Sequence, residues 1–264
     1  PRRARRAGRS GQRGLRVSAI RPFVAQVEAE TYMTLRRGET LLLTVGIPVA
    51  FLVFFSTSHV VSTGRGPAVA FYVPGILALA VMSTAMVSLG IATGFERGYG
   101  VLKRLGATPL GRPRLLGAKV TTIFFVEVLQ AAVLVPVGYA LGWQPGHGHT
   151  GPAAADALAA AVLATVSFGG IGLLLAGVLR AELNLAATNG LYLVLLLLGG
   201  MVVPLAKLPS ALADVARALP AAALSDALHA SLGQGSAVPA GAWVTLGAWA
   251  VGASVLAALS FRWE

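Results

Sequence analysis

Phe95-Glu-Arg-Gly-Tyr-Gly-Val-Leu-Lys-Arg-Leu-Gly-Ala-Thr-Pro-Leu110 is a charged segment wedged between two long apolar runs. Charges are just as clumped elsewhere, leaving uncharged stretches at 40–64, 66–95, 128–155, 157–179, 183–206 and 227–261. A helix crossing a hydrocarbon layer needs about 20 apolar residues, so each stretch holds one span. The spans are expected near 41–60, 69–93, 117–141, 155–179, 185–204 and 240–261. The runs lack the alternating pattern of a transmembrane β-barrel, which excludes that class. The fold class is therefore all-α, a polytopic membrane protein with six transmembrane helices.

Composition agrees. Of 264 residues, 56% are hydrophobic and only 12% charged, against roughly 25% charged in soluble domains. Such a chain cannot clothe itself in water. Cysteine is absent, which removes disulfides, thiolate chemistry and cysteine-based metal sites. The net charge of +11 would suit nucleic acid, but the basic residues flank the spans and follow the positive-inside rule instead. In the six-span arrangement 18 of the 21 Lys and Arg fall on one side, with Arg65, Lys207 and Arg217 on the other. Both termini are expected in the cytoplasm, and no nucleic-acid partner is. The Arg-rich start runs into a mixed segment, so no cleavable signal peptide is expected. Arginine far outnumbers Lys103, Lys119 and Lys207, a bias that points to a bacterial source.

Residues 1–21, rich in Arg and Gly, are expected to form a disordered basic tail attracted to anionic lipid headgroups. Residues 22–264 are expected to be a single membrane domain. It opens with a short interfacial helix over 22–39, where Phe23, Val27, Thr31 and Leu35 form one stripe. Pro48 and Pro136 favour kinks in spans one and three. Ser83, Thr84, Ser88 and Thr93 make span two a close-packing helix. His147 and His149 sit two apart in a Gly-rich turn without further ligands, which is not a metal site. Residues 205–239 are too broken by Pro204, Pro209 and Pro220 to cross and too apolar to be solvated. They predict an outer re-entrant pair of amphipathic helices between spans five and six. Leu212, Val215 and Leu219 lie on one face of the first, and Leu224, Leu228 and Leu232 repeat the pattern.

Several chemistries are excluded. The phosphate-cradling pattern Gly-x-x-x-x-Gly-Lys-Ser/Thr does not occur, because the three lysines precede Arg104, Val120 and Leu208. His59, His147, His149 and His229 lie at span ends or in outside segments, which leaves no intramembrane serine–histidine or zinc hydrolase. No catalytic residue and no metal is expected. One ionisable residue does fall deep in a span: Glu127, with Gln130 on the same helical face. A carboxylate at that depth costs a few kcal/mol, so it faces the bundle interior or water. Glu127 and Gln130 are candidates for a substrate pathway, for structural hydrogen bonds, or for an ion-coupled carrier.

In the opening segment, Gly106 and Thr108-Pro109 stop a short helix, because the residue before proline is pushed out of the α region. Arg112-Pro113 starts the next. A short helix thus lies across the ends of spans two and three, projecting Glu96, Arg97, Lys103 and Arg104 into the cytoplasm. These residues resemble the cytoplasmic loop of type-2 ABC transporter permeases, whose pattern runs Glu-Arg-Glu-x-Gly-Thr-Leu-Glu-x-Leu-x-x-Thr-Pro. Glu96, Arg97, Gly100, Leu102, Leu105, Thr108 and Pro109 match in register, while Gly98, Val101 and Lys103 depart from it. The outer segment is similar too, through Leu208-Pro209, Leu212, Leu219-Pro220 and Asp226-Ala227-Leu228.

The resemblance implies the membrane subunit of an ATP-driven exporter in a bacterial cytoplasmic (inner) membrane. It implies two copies of a separate ABC ATP-binding subunit, which hold ATP and Mg, and a second permease, identical or homologous. Glu96, Arg97, Gly100, Leu102, Arg104, Leu105, Thr108 and Pro109 would couple to the ATPase. Drug or antibiotic efflux fits the compact outer loops best, with lipid or polysaccharide export as the alternative cargo.

Overall fold

Residues 21–36, 38–58, 67–106, 111–146 and 150–260 are described by a computed structural model. The basic tail at 1–20, Thr108 and Pro109, and His147 and His149 lie outside the described residues. Among the described residues every regular element is helical, as the hydrocarbon demands: with no water to bond exposed amides, the backbone must satisfy itself within each span. The elements are α1 (residues 21–36), α2 (Gly38–Ser58), α3 (Ala68–Gly98), α4 (Val101–Gly106), α5 (Arg112–Ala140), α6 (Thr150–Val178), α7 (Ala181–Leu198), α8 (Ser210–Arg217), α9 (Pro220–Leu228) and α10 (Ala240–Ser260).

Among the described residues, six helices are long and apolar enough to cross a membrane: Leu41–Ser58, Ala68–Gly98, Arg114–Ala140, Ala153–Val178, Ala181–Leu198 and Ala240–Ser260. Five lie within a few residues of the expected spans. The fifth is displaced: it starts at Ala181, directly after Arg180, and stops at Leu198 rather than 204. Its end is set by Gly199-Gly200, where Gly200 takes φ +69 and turns the chain out of the helix.

The bundle is organised around α3 and α6. Glycine brings their backbones together: a Cβ placed on Gly172 would stand 2.6 Å from the Met86 carbonyl oxygen, and one on Gly90 would stand 3.0 Å from Gly172 Cα. Next to this contact, Asn184 of α7 is fully buried and donates to the Gly90 carbonyl at 2.8 Å. On its other side α6 packs along α10, where Ser167 donates to the Leu246 carbonyl at 3.1 Å. Small residues and interhelical hydrogen bonds are what hold helices together where lipid is as apolar as leucine. Midway along α3, residues Ser83–Ser88 widen into a π-helix before the α-helix resumes at Leu89.

The amphipathic stripes of α1 and α9 differ from expectation. On α1 the half-buried positions are Phe23, Gln26, Val27, Glu30, Thr31 and Thr34, while Leu35 is exposed. The inward face is mixed because Glu30 has a buried cation to meet, as shown below. On α8 the inward residues are Ala213 and Ala216, and Leu212 and Val215 point outward. Alanine permits the close approach and the larger side chains are left to an apolar surrounding. α9 is not amphipathic: all of it except Asp226 is buried. It is wedged against α3, α6 and α10.

Replacing Gly172 with Val should cost about 3 kcal/mol, because all three atoms nearest its Cβ are backbone and cannot turn aside. Gly247→Ala, where a Cβ meets nothing within 4 Å, should stay within about 0.5 kcal/mol of wild type. Thermal unfolding of the two variants in detergent checks the contrast.

Candidate functional site

Lys119 sits about two turns inside α5 and is 2% exposed. A buried ammonium must be paired, and it meets two carboxylates: Glu30 of α1 at 2.8 Å and Glu96 at the end of α3 at 2.7 Å. Three segments far apart in sequence are thereby fixed at the basic end of the bundle. Phe23 closes over Gly117 beside this group. Lysine at this spot is the residue the sequence pattern did not single out. Its signal was present, as the one charge set past Gly117 inside an apolar run.

Arg97, next to Glu96, turns the other way. Its guanidinium donates to the Gly177 carbonyl and to the Leu179 carbonyl at 2.6 Å. These are among the last carbonyls of α6, which lack intrahelical partners and carry the negative end of the helix dipole. The expectation that Glu96 and Arg97 project into the cytoplasm is thus corrected. Both side chains are half-buried and serve intramolecular contacts, because the ends of α5 and α6 offer an uncompensated cation and uncompensated carbonyls.

α4 then lies between Gly100 and Gly111, whose φ values of +70 and +67 turn the chain sharply on either side. Leu102 is fully buried and anchors the short helix. Val101, Lys103 and Arg104 stay exposed. Of the expected coupling residues, Gly100 therefore provides the turn, Leu102 the anchor and Arg104 an exposed charge. Leu105 belongs to the last turn of α4.

At mid-depth, Glu127 is 6% and Gln130 2% exposed. The Gln130 amide ties three spans: it accepts from Thr84 in the π segment at 3.1 Å and donates to the Thr44 carbonyl of α2 at 2.8 Å. Glu127 reaches a different neighbour, accepting from the Thr165 hydroxyl of α6 through Oε2. Its Oε1 is buried without a hydrogen-bond partner. Both residues line a cavity of about 210 Å³ between α3, α5 and α6, closed by Leu228 and Leu232 beyond α9. A second cavity of about 190 Å³ lies between α2, α3 and α7, with Ser83, Ser88 and Tyr192 in its wall.

At the opposite end, His229 locks the outer segment to α3. Its Nδ1 lies 2.7 Å from the Ser225 carbonyl and its Nε2 lies 3.0 Å from the Phe71 carbonyl. Burial lowers its pKa below the ordinary imidazole value, against the opposite pull of the two carbonyls. Among the described residues no group of three or more His, Asp or Glu is arranged to hold a metal.

Six apolar helices among the described residues, with a charged, clamped short helix at one end, define a multi-pass membrane protein. The family model for ABC-2 type transporters matches residues 23–232. The chain belongs to that family, whose domain is the membrane permease component of ABC transporters and holds no ATPase site of its own. No curated protein matches the chain.

Lys119→Met should destabilise by about 3 kcal/mol, the low end for breaking a buried pair because Glu96 keeps part of its water. Adding Glu30→Gln and Glu96→Gln should recover much of the loss in the same denaturation assay. A second outcome concerns pH. Because the His229 pKa is depressed in the fold, its stabilising neutral form is fully present above the ordinary value of about 6.5. That contribution is lost as pH falls below it toward the folded value. Between pH 7.5 and 5.5, wild type should therefore lose more thermal stability than His229→Gln, with ~6.5 the unperturbed imidazole value separating the two ends.

Proposed function

We propose that this chain is the pathway-forming subunit of an ATP-driven exporter in a bacterial cytoplasmic membrane, with both termini in the cytoplasm. In this reading, two ATP-binding subunits, carrying ATP and Mg, dock at α4. The observation that carries the reading is the construction around α4. A short helix held by Leu102 exposes Val101 and Arg104, and its two flanks are fastened by Lys119 to α1 and by Arg97 to α6. A contact surface built this way transmits force, because displacement of α4 loads the ends of spans two, three and four together.

Motor closure biases the spans only if its states contact α4 with different free energies. Glu96 and Arg97 then act as positioning residues behind the docking surface, and Arg104 as a contact. Gly100 and Leu102 shape the helix, and Leu105, Thr108 and Pro109 are proposed to share in the coupling. A second permease, identical or homologous, would cover the flanks of α2 and α7, the spans least buried within the chain at 11% and 17%. Glu127 and Gln130 would belong to the wall of the substrate pathway. Drug or antibiotic efflux is the cargo class we favour over lipid or polysaccharide.

Reconstituting the chain with the P-loop subunit recovered alongside it from native membranes tests the docking. Arg104→Glu should lower ATP-dependent export at least about tenfold, as charge reversal at an interface does, with the unfolding midpoint unchanged. Export at the wild-type level would remove α4 from the docking role. Transport that proceeds without ATP would point instead to an ion-coupled carrier working through Glu127.

A further inference from the structure

Most polar groups near the centre of this bundle are satisfied within it. Gln130 is occupied by Thr84 and the Thr44 carbonyl, and Thr165 donates to the Ala161 carbonyl as well as meeting Glu127. Glu127 Oε1 is one that is not. It is buried, unpartnered, and belongs to a side chain that lines the 210 Å³ cavity. The rest of that wall is almost wholly apolar, from Leu77, Val81 and Phe124 to Ala131. An apolar cavity of about 150 Å³ takes up benzene, so this one has room for a larger aromatic body. Its rim includes Val128 and Leu158, 47% and 54% exposed on the flank of the bundle. Access is therefore sideways, from the surface the spans present to lipid.

We infer that this cavity binds a lipophilic amine, its aromatic body against Leu77, Val81 and Phe124 and its ammonium group on Glu127 Oε1. The chemistry selects the ligand class. A lone carboxylate oxygen asks for a donor, and a cationic donor gives the stronger bond. An anionic ligand would meet the like charge of Glu127, and the Gln130 amide nitrogen already donates to the Thr44 carbonyl. A hydrocarbon tail would fill the space but leave the carboxylate unpaired, which is costly in an apolar site. The inference deepens the pathway reading of Glu127 given above, yet its test does not need transport.

Tritiated naphthylethylamine and its neutral counterpart naphthylethanol would be titrated against the purified chain in phosphatidylcholine nanodiscs. The amine should bind at least about tenfold tighter than the alcohol, the worth of a hydrogen bond to a charged group. Glu127→Gln should erase that preference. Ala131→Phe, which fills the cavity and leaves the carboxylate in place, should weaken both ligands and serves if the Gln variant fails to fold. Equal binding of amine and alcohol by wild type, or no saturable binding at all, overturns the inference. So does a preference that survives Glu127→Gln, or a co-purified phospholipid that the amine cannot displace. Amine binding of the expected kind without ATP-dependent amine flux would leave the site standing and remove Glu127 from the pathway. Flux of amine and alcohol alike would do the reverse.

Discussion

The ammonium of Lys119 has nowhere to go but toward Glu30 and Glu96, and the layout of the basic end follows from that requirement. A charge taken out of water on an apolar helix is tolerable only with close counter-charges. Satisfying it draws α1 down onto α5 and holds the end of α3 beside both. Once α3 ends there, Arg97 stands within reach of the α6 terminus, and α4 leaves at a fixed angle through Gly100. The same physics recurs at each depth. Thr84, Gln130 and the Thr44 carbonyl join spans at the middle, and His229 joins the outer segment to the Phe71 carbonyl. Between these polar ties, glycine and alanine set the distances.

Much of this was legible in the residues. Uncharged runs of the right length located the spans, since hydrocarbon thickness is a hard constraint and composition reports it directly. The breakers at Gly106 and Pro113 placed the short charged helix between spans two and three. Glu127 announced its own burial by being a carboxylate in the middle of an apolar run. The misreadings share a cause, which is that sequence shows a charge but not its partner. Glu96 and Arg97 looked like freely projecting charges because their partners within the chain lie 23 and about 80 residues downstream. On α8 the shared face of Leu212 and Val215 was legible, but not that the small Ala213 and Ala216 would face the protein. The π-helical segment of α3 had no sequence mark at all, for Ser83–Ser88 contains neither proline nor glycine.

The bundle's polar contacts also divide by purpose. Gln130 and Asn184 have their amides engaged by neighbouring helices, which is what a structural polar residue looks like. Glu127 has one oxygen so engaged and one left over. Burial alone does not separate these two kinds of residue, since all are nearly inaccessible. The count of unmet hydrogen-bonding positions does.

The helix lengths impose a last requirement on the surroundings. At 1.5 Å per residue, the 29 residues of α6 rise about 44 Å, while the 18 of α7 rise only about 27 Å. A hydrocarbon layer is about 30 Å thick, so no upright placement suits both helices. α6 leans or reaches into the headgroups, while α7 has little length to spare. The chain leaves α7 for α8 and α9, both in contact with it. Folded protein thus stands against this short span where lipid would otherwise be its neighbour.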